Sequence, residues 1–154
     1  MPPVVLRGLN AMSAETDQDF RPLEERERSL LERLLDHHPF DGREQLRRQL
    51  ASTTARLIGE YHDNYGSIAL PVAHPVPAGV RYRVPVEAEY LDDDGVPVWV
   101  LLHVDCEGVM CELEICRADG RPLISPPTPQ RIEPFSADYG ARRSGGIPRI
   151  RNPF

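Results

Sequence analysis

The sequence predicts an α+β domain in which two N-terminal helices pack on one face of an antiparallel, largely meander sheet of about five strands. Two observations predict it: apolar residues recur at helical spacing up to residue 51, and from residue 53 they alternate with a period of two. The 154 residues are 40% hydrophobic and 27% charged, which is the composition of a folded domain. We therefore expect an irregular extension over residues 1–20, one α+β domain over 21–134 and an irregular, Pro/Gly/Arg-rich C-terminal tail over 135–154.

Two helices are predicted, over residues 22–36 and 42–51. Pro22 suits the first turn of a helix, and five leucines after it share one helical face: Leu23, Leu30, Leu31, Leu34 and Leu35. In the second segment an acidic pair has the spacing of a capping box and two leucines lie one turn apart: Asp41 with Glu44, and Leu46 with Leu50.

Strand segments are predicted near residues 55–62, 67–72, 82–91, 96–105 and 109–117. The register of the last two follows if Glu107-Gly108 forms a two-residue hairpin turn. The facing pairs are then Val104 with Cys111, Leu102 with Leu113, and Val100 with Ile115. Because this face is wholly apolar, Cys111 is expected in the core.

The preceding hairpin is predicted to turn through a three-residue loop, Asp93-Asp94-Gly95, with Gly95 in a left-handed conformation. A two-residue turn would place glutamates on the apolar face, whereas this loop places there Val84, Val86, Ala88 and Tyr90. The opposite face then carries Glu87, Glu89, Trp99, Leu101, His103, Met110, Glu112, Glu114 and Cys116. Pro85 also lies on that face, and its missing N–H predicts a sheet edge or a local break in the ladder.

The charge of the chain limits its partners. All 18 basic residues are arginine, and the formal net charge of −6 argues against a general nucleic-acid or anionic-membrane surface. The charge is uneven, since residues 135–154 carry four arginines against Asp138, a sum of +3. No segment has the roughly 20 apolar residues of a membrane span, and the first twelve residues lack the apolar core of a signal peptide. A cytoplasmic location is expected.

The three cysteines do not form a recognisable metal or disulfide motif. Cys106, Cys111 and Cys116 are evenly spaced, but a spacing of five places the last two on opposite faces of one strand. There is no CxxC pair, and a reducing cytosol disfavours disulfides. No metal ligand and no cofactor is assigned.

His103 lies directly across from Glu112 in the predicted register, with Glu87 and Glu114 in adjacent rows. Such a group could act in general acid–base catalysis or hold a metal. A cross-strand ion pair on a solvated face is the simpler interpretation, because nothing supplies a nucleophile or an oxyanion donor. There is no GxSxG, HExxH or phosphate-binding glycine loop, so no catalytic residue is assigned.

Short motifs are spread along the chain: Arg21-Pro22-Leu23, Leu30-Leu31 through Leu35, Leu57-Ile58-Gly59, Ser67-Ile68-Ala69-Leu70, Leu113-Glu114-Ile115 and Ala118-Asp119-Gly120. Over about residues 20–134 the sequence resembles a family of small bacterial proteins of unknown function. The resemblance implies helices followed by a sheet and implies no activity. Family members have a cysteine-rich stretch where this chain has residues 61–66, so a metal role of those cysteines does not carry over.

These features favour a non-catalytic binding or accessory protein, such as a bacterial immunity protein or assembly factor. It would act through an acidic sheet face made of Glu87, Glu89, Trp99, His103, Glu112 and Glu114, and through tail residues Arg142, Arg143, Ile147, Arg149, Ile150, Arg151 and Phe154. Since exposed ion pairs contribute only about 0–1 kcal/mol each, the tail is expected to dock on a neighbouring subunit or a partner protein. One alternative is a small hydrolase or metal-dependent enzyme centred on His103 and Glu112. Another is a ribonucleoprotein component whose arginine-rich tail contacts RNA.

Overall fold

The computed structural model describes residues 20–58 and 66–137. Within them the α+β class is confirmed, but the antiparallel sheet has seven strands where the sequence predicted about five. The helices are α1 (Glu25–Leu35) and α2 (Arg43–Leu50), and the strands are β1 (Arg21–Pro22), β2 (Thr54–Leu57), β3 (Ile68–Ala69), β4 (Arg83–Leu91), β5 (Pro97–Val104), β6 (Met110–Arg117) and β7 (Glu133–Ser136). Their order across the sheet is β1-β2-β3-β6-β5-β4-β7. Consecutive strands are therefore antiparallel neighbours within β1-β2-β3 and within β4-β5-β6, and the chain crosses over between β3 and β4 and between β6 and β7.

Helix α1 begins three residues later than predicted, because Pro22 lies in β1 and not in the first helical turn. The carboxylate of Glu27 accepts the backbone N–H of Glu24 (2.9 Å) and both terminal nitrogens of Arg21 (2.8 and 2.7 Å). Burial raises the pKa of Glu27, but the hydrogen bonds from Arg21 and Glu24 outweigh burial and hold this pKa below its ordinary value. The predicted leucine face is observed, since Leu30, Leu31, Leu34 and Leu35 are all buried.

Helix α2 lacks the predicted capping box. Its N-cap is Gly42, without a side-chain cap, so the proposed pairing of Asp41 with Glu44 is wrong. Gly42 has a φ of +95°, and a Cβ there would lie 2.2 Å from the carbonyl oxygen of Ala78. Only glycine combines this left-handed conformation with so close a backbone approach.

The β4–β5 hairpin has the predicted loop. The N–H of Asp92 donates to the carbonyl of Val96 (2.9 Å), which leaves residues 93–95 as the loop, and Gly95 has a φ of +82°. The predicted register is also observed, with Ala88 opposite Val100 and Tyr90 opposite Val98.

The β5–β6 hairpin differs from the prediction at its tip. The N–H of Asp105 donates to the carbonyl of Val109 (2.8 Å), so the loop has three residues, Cys106-Glu107-Gly108, and the two-residue turn is wrong. Val104 therefore faces Met110. A β-bulge at Cys111 then restores the predicted pairs further along the ladder: His103 with Glu112, Leu102 with Leu113, and Val100 with Ile115.

The bulge changes the position of two residues. Cys111, expected in the core opposite Val104, is exposed. Met110, expected on the opposite face of the sheet, is buried in the core. Both errors have one cause, because the bulge inserts Cys111 between a core position and an outward position.

Both helices and the sheet contribute to one buried core, which contains leucines of α1 and α2 and alternate residues of β4, β5 and β6. A fully buried amide, Gln49 of α2, lies at its margin. Its Nε2 donates to the carbonyls of Val76 (2.7 Å) and Gly108 (2.9 Å), and its Oε1 accepts the N–H of Met110 (2.8 Å). Gln49 thus ties α2 to the β5–β6 hairpin and to the segment before β4. Neither described helix is long and apolar enough to cross a membrane.

Four of the described strands contain a proline, and Pro97 is the first residue of β5. Pro85 lies where the β4–β5 ladder breaks between Arg83 and Glu87, so it marks a local break and not an edge. The two edge strands each contain a proline, Pro22 in β1 and Pro134 in β7. Strand β7 also takes Phe135 and Ser136, which the sequence assigned to the tail, into the sheet. The remaining tail residues, 138–154, and residues 1–19 lie outside the described part of the chain.

Candidate functional site

Cross-strand pairing gathers the predicted acidic residues on the side of the sheet opposite the core, which we call the outer face. Its rows across β4, β5 and β6 are Arg83-His103-Glu112, Glu87-Leu101-Glu114 and Glu89-Trp99-Cys116. Strand β7 adds Phe135 beside Glu87 and Glu133 beside Glu89. The six residues predicted to form an acidic face are therefore brought together.

The outer face has an apolar centre with acidic flanks. Strand β5 supplies Trp99 and Leu101, which are half-buried and buried, respectively. Strand β4 places Glu87 beside Leu101 and Glu89 beside Trp99. Strand β6 places Glu114 beside Leu101, and its second glutamate, Glu112, lies beside His103. Since adjacent strands lie about 4.8 Å apart, the two glutamate rows are about 10 Å apart with an apolar strip between them.

Glu114 and Glu87 each contact a basic side chain of the outer face. Nε2 of His103 lies 2.6 Å from a carboxylate oxygen of Glu114, so the histidine contacts the diagonal glutamate and not Glu112 directly opposite. Nη1 of Arg83 donates to Glu87 at 3.1 Å. Glu87 and Glu114 are thus the two cross-strand neighbours of Leu101, and each is held by a contact to a basic side chain.

The outer face is negatively charged. A second arginine, Arg56 of β2, joins the first row because Arg56 faces Ala69 and Ala69 faces Glu112. Its guanidinium lies 4.9 Å from the centre of the Phe20 ring, a cation–π distance. With Glu133 included, five glutamates and two arginines give this surface a formal charge of −3 when His103 is neutral.

The thiols near this face are not activated. Burial raises the pKa of Cys116, which is paired with Trp99, and the nearby charge of Glu114 raises it further. Burial also raises the pKa of Cys111. A nucleophilic cysteine needs a lowered pKa, so neither side chain has the setting of a catalytic thiolate.

A polar cluster that the sequence did not predict lies at the far end of β6. All five N–H groups of Arg117 donate to three carboxylates, those of Asp92, Asp94 and Asp119, at 2.6–2.9 Å. The side chain of Arg117 is 3% exposed and that of Asp92 is 0% exposed. No spacing rule connects residues this far apart in the chain. The only local sign is that the turns after β4 and β6 contain Asp93-Asp94-Gly95 and Asp119-Gly120, respectively.

Asp92 is the centre of this cluster. Its carboxylate also accepts the backbone N–H groups of Asp93, Ile124 and Ser125 and the hydroxyl of Ser125. Burial raises the pKa of Asp92, but the bonds from Ile124 and Arg117 outweigh burial and hold the pKa well below its ordinary value. The hydrogen bond from Arg117 likewise lowers the pKa of Asp119 to about 2. The cluster is ionised at neutral pH and joins the ends of β4 and β6 to the segment that precedes β7.

A shallow groove of about 300 Å³ lies elsewhere, on the helices. It is lined by Arg28, Glu32, Asp36, Arg47, Leu50 and Ala51, and no outer-face residue contributes to it. Among residues 20–58 and 66–137, no three His, Cys, Asp or Glu side chains are grouped so that they could hold a metal ion. The predicted tail residues Arg142, Arg143, Ile147, Arg149, Ile150, Arg151 and Phe154 are not among the described residues.

Comparison with known proteins gives a family and no function. A family model described as "Domain of unknown function (DUF6984)" matches residues 20–127. No curated protein and no solved structure matches the chain.

Proposed function

The chain belongs to the DUF6984 family of domains of unknown function, and we propose that it is a non-catalytic binding or accessory protein whose outer face binds a basic segment of a partner protein. The observation that carries this proposal is the arrangement of the outer face, in which Leu101 lies between Glu87 and Glu114, and Trp99 lies between Glu89 and Cys116. Protein interfaces combine an apolar centre with a polar rim, and tryptophan is enriched among the residues that dominate their binding energy. A segment that interleaves apolar side chains with arginine or lysine complements this surface.

The two edge strands are poorly suited to pair with a strand of a partner, which favours binding through the outer face. An edge strand binds a partner by offering unpaired N–H and C=O groups, and a proline removes one N–H. Ala137 donates to the carbonyl of Pro85 (3.1 Å), so by antiparallel alternation the odd residues of β7 direct their backbone groups toward β4. Pro134 consequently lacks its N–H on the free side of the sheet. The edge strand β1, only two residues long, also contains a proline.

We also propose that both helices cover the face opposite to the binding surface. The leucines of α1 and α2 share one core with Val86, Val100 and Leu102, which alternate with the outward residues of β4 and β5. This placement leaves the outer face available to a partner.

Fluorescence of Trp99, the single tryptophan of the chain, offers a direct test. The chain is titrated with a short synthetic peptide that alternates arginine with isoleucine and phenylalanine, and with a control peptide that has glutamate for arginine. The first peptide should change the emission of Trp99 and bind more weakly as salt is raised, because salt screens exposed charges. The second should not bind.

A neutralised variant identifies the face. Replacing Glu87, Glu89, Glu112 and Glu114 together by Gln removes four ion pairs of about 0.5 kcal/mol each. We therefore expect peptide affinity to fall about thirtyfold when both chains also carry Gln at Arg142, Arg143, Arg149 and Arg151, so that the basic tail cannot compete. The matched control carries the same change at four exposed glutamates away from the face: Glu25, Glu32, Glu44 and Glu107. Equal loss of affinity in both variants, or binding that leaves Trp99 emission unchanged, would contradict the proposal.

A further inference from the structure

The chain itself contains a segment with the composition that the outer face would bind. Residues 138–154 carry four arginines and one aspartate, a formal charge of +3, against −3 on the outer face. Two isoleucines and a phenylalanine are interleaved with these arginines: Ile147, Ile150 and Phe154. The segment therefore complements both the charge and the apolar strip of this face.

The described structure ends beside that face. Ala137 is hydrogen-bonded to Pro85, and Phe135, two residues earlier, faces Glu87 on the outer face. Trp99 and Leu101 on β5 are two strands away from β7, or about 10 Å. The 17 residues from 138 to 154 span up to about 56 Å when extended. The segment is long enough to cross the whole surface.

We propose, resting on the function proposed above, that residues 138–154 fold back onto the outer face of the same chain and compete there with the partner's basic segment. Exposed ion pairs are weak, but a tethered segment does not need high affinity. A short flexible tether gives an effective concentration on the order of 1 mM. A segment that binds with a dissociation constant on the order of 0.1 mM would then occupy the face about ten to one.

The test uses the full chain with Arg142, Arg143, Arg149 and Arg151 all replaced by Gln. Acrylamide quenching of Trp99 should be stronger in this variant than in the wild type, and the arginine-rich peptide should bind it about tenfold more tightly. The control variant replaces four exposed arginines elsewhere, Arg33, Arg48, Arg81 and Arg121, by Gln and should behave as the wild type. In the background with Glu87, Glu89, Glu112 and Glu114 replaced by Gln, the tail substitutions should no longer change the quenching.

The outcomes separate this inference from the proposed function. If the wild type and the tail variant bind the peptide equally and show equal quenching, the intramolecular contact is refuted while the binding function stands. If neither binds the peptide, the proposed function is refuted. Protection of Trp99 that increases with protein concentration would show that a second copy supplies the segment, which also overturns the intramolecular contact.

Discussion

Replacement of Asp92 by Asn tests whether the Arg117 cluster holds the sheet to the segment that precedes β7. One carboxylate oxygen of Asp92 accepts from Arg117 and Ile124, and the other accepts from the N–H of Asp93 and from Ser125. The amide of Asn presents an NH₂ group in place of one oxygen. Whichever oxygen it replaces, the NH₂ group of Asn faces at least two N–H or O–H donors that had bonded to that oxygen. Arg117 also loses one of the three negative charges that neutralise its guanidinium.

The expected cost follows from burial. Removing one partner of a buried ion pair destabilises a protein by about 3–5 kcal/mol. Because Asn keeps some of the hydrogen bonds and Arg117 keeps Asp94 and Asp119, we expect Asp92→Asn to lower the free energy of unfolding by about 3 kcal/mol. The neighbouring Asp93, whose side chain is 57% exposed, provides the control. Asp93→Asn should cost less than about 1 kcal/mol.

Urea unfolding measures both variants, with an unchanged m value as evidence that the same surface is exposed on unfolding. The pH dependence adds a second readout. Because the pKa of Asp92 is lowered in the folded state, its stabilising contribution is complete above the unfolded pKa, about 3.8, and is lost as the pH falls through the folded pKa. The stability gap between the wild type and Asp92→Asn should therefore narrow in acid. An Asp92→Asn variant within 1 kcal/mol of wild type at neutral pH would refute the role assigned to this cluster.

Three further substitutions test local features by urea unfolding. Gln49→Leu removes the bonds that Gln49 makes to the carbonyl of Val76 and the N–H of Met110, whereas the carbonyl of Gly108 keeps the N–H of Ala78 (3.3 Å). The cost should be about 3 kcal/mol, and a variant as stable as the wild type would contradict the link between α2 and the hairpin. Gly108→Ala should cost more than Gly95→Ala, because both glycines have positive φ but only at Gly108 would a Cβ meet backbone atoms, at 2.8–2.9 Å; equal costs would refute the close approach. Tyr82 has a φ of +67° within a γ-turn closed by a bond from Arg83 to Arg81 (2.8 Å) and is 68% exposed, so Tyr82→Gly should stabilise by about 1 kcal/mol. Destabilisation by this change would contradict the backbone strain assigned to Tyr82.

Periodicity predicted the parts of this fold where burial alternates regularly. The meander β4-β5-β6, the leucine face of α1 and the loop ending in Gly95 all follow from a repeat of 3.6 or 2 joined by a glycine turn. The two edge strands, β1 and β7, were not predicted from the sequence. Both are short and contain a proline, Arg21-Pro22 in β1 and Glu133-Pro134-Phe135-Ser136 in β7. Proline argues against a strand in the middle of a sheet but is tolerated at an edge.

Buried polar residues whose partners are distant in the chain could not be recognised from the local sequence pattern. Gln49 occupies the buried side of α2 among leucines, and its partners at residues 76, 108 and 110 are distant in sequence. The pairing of Arg117 with Asp92 likewise depends on the β4–β5 and β5–β6 registers together. Most of the outer face could be predicted from alternation together with the two hairpin loops, although Met110 was assigned to it and is buried. The partners in the two polar clusters are determined only by the assembled fold.

The composition of the outer face depends on the bulge at Cys111. The three-residue loop of the β5–β6 hairpin, continued without a bulge, would pair His103 with Cys111 and turn Glu112 toward the core and Leu113 outward. The inserted residue reverses this parity, so that Leu113 is buried and Glu112 and Glu114 lie on the outer face, beside His103 and Leu101 of β5. The two-residue turn expected from the sequence gives the same residue pairs beyond the bulge. A loop that is one residue shorter and an extra residue in β6 each shift the pairing of β5 with β6 by one residue in the same direction. The one-residue bulge at Cys111 thus determines whether the glutamates of β6 lie on the outer face with those of β4 or point into the core.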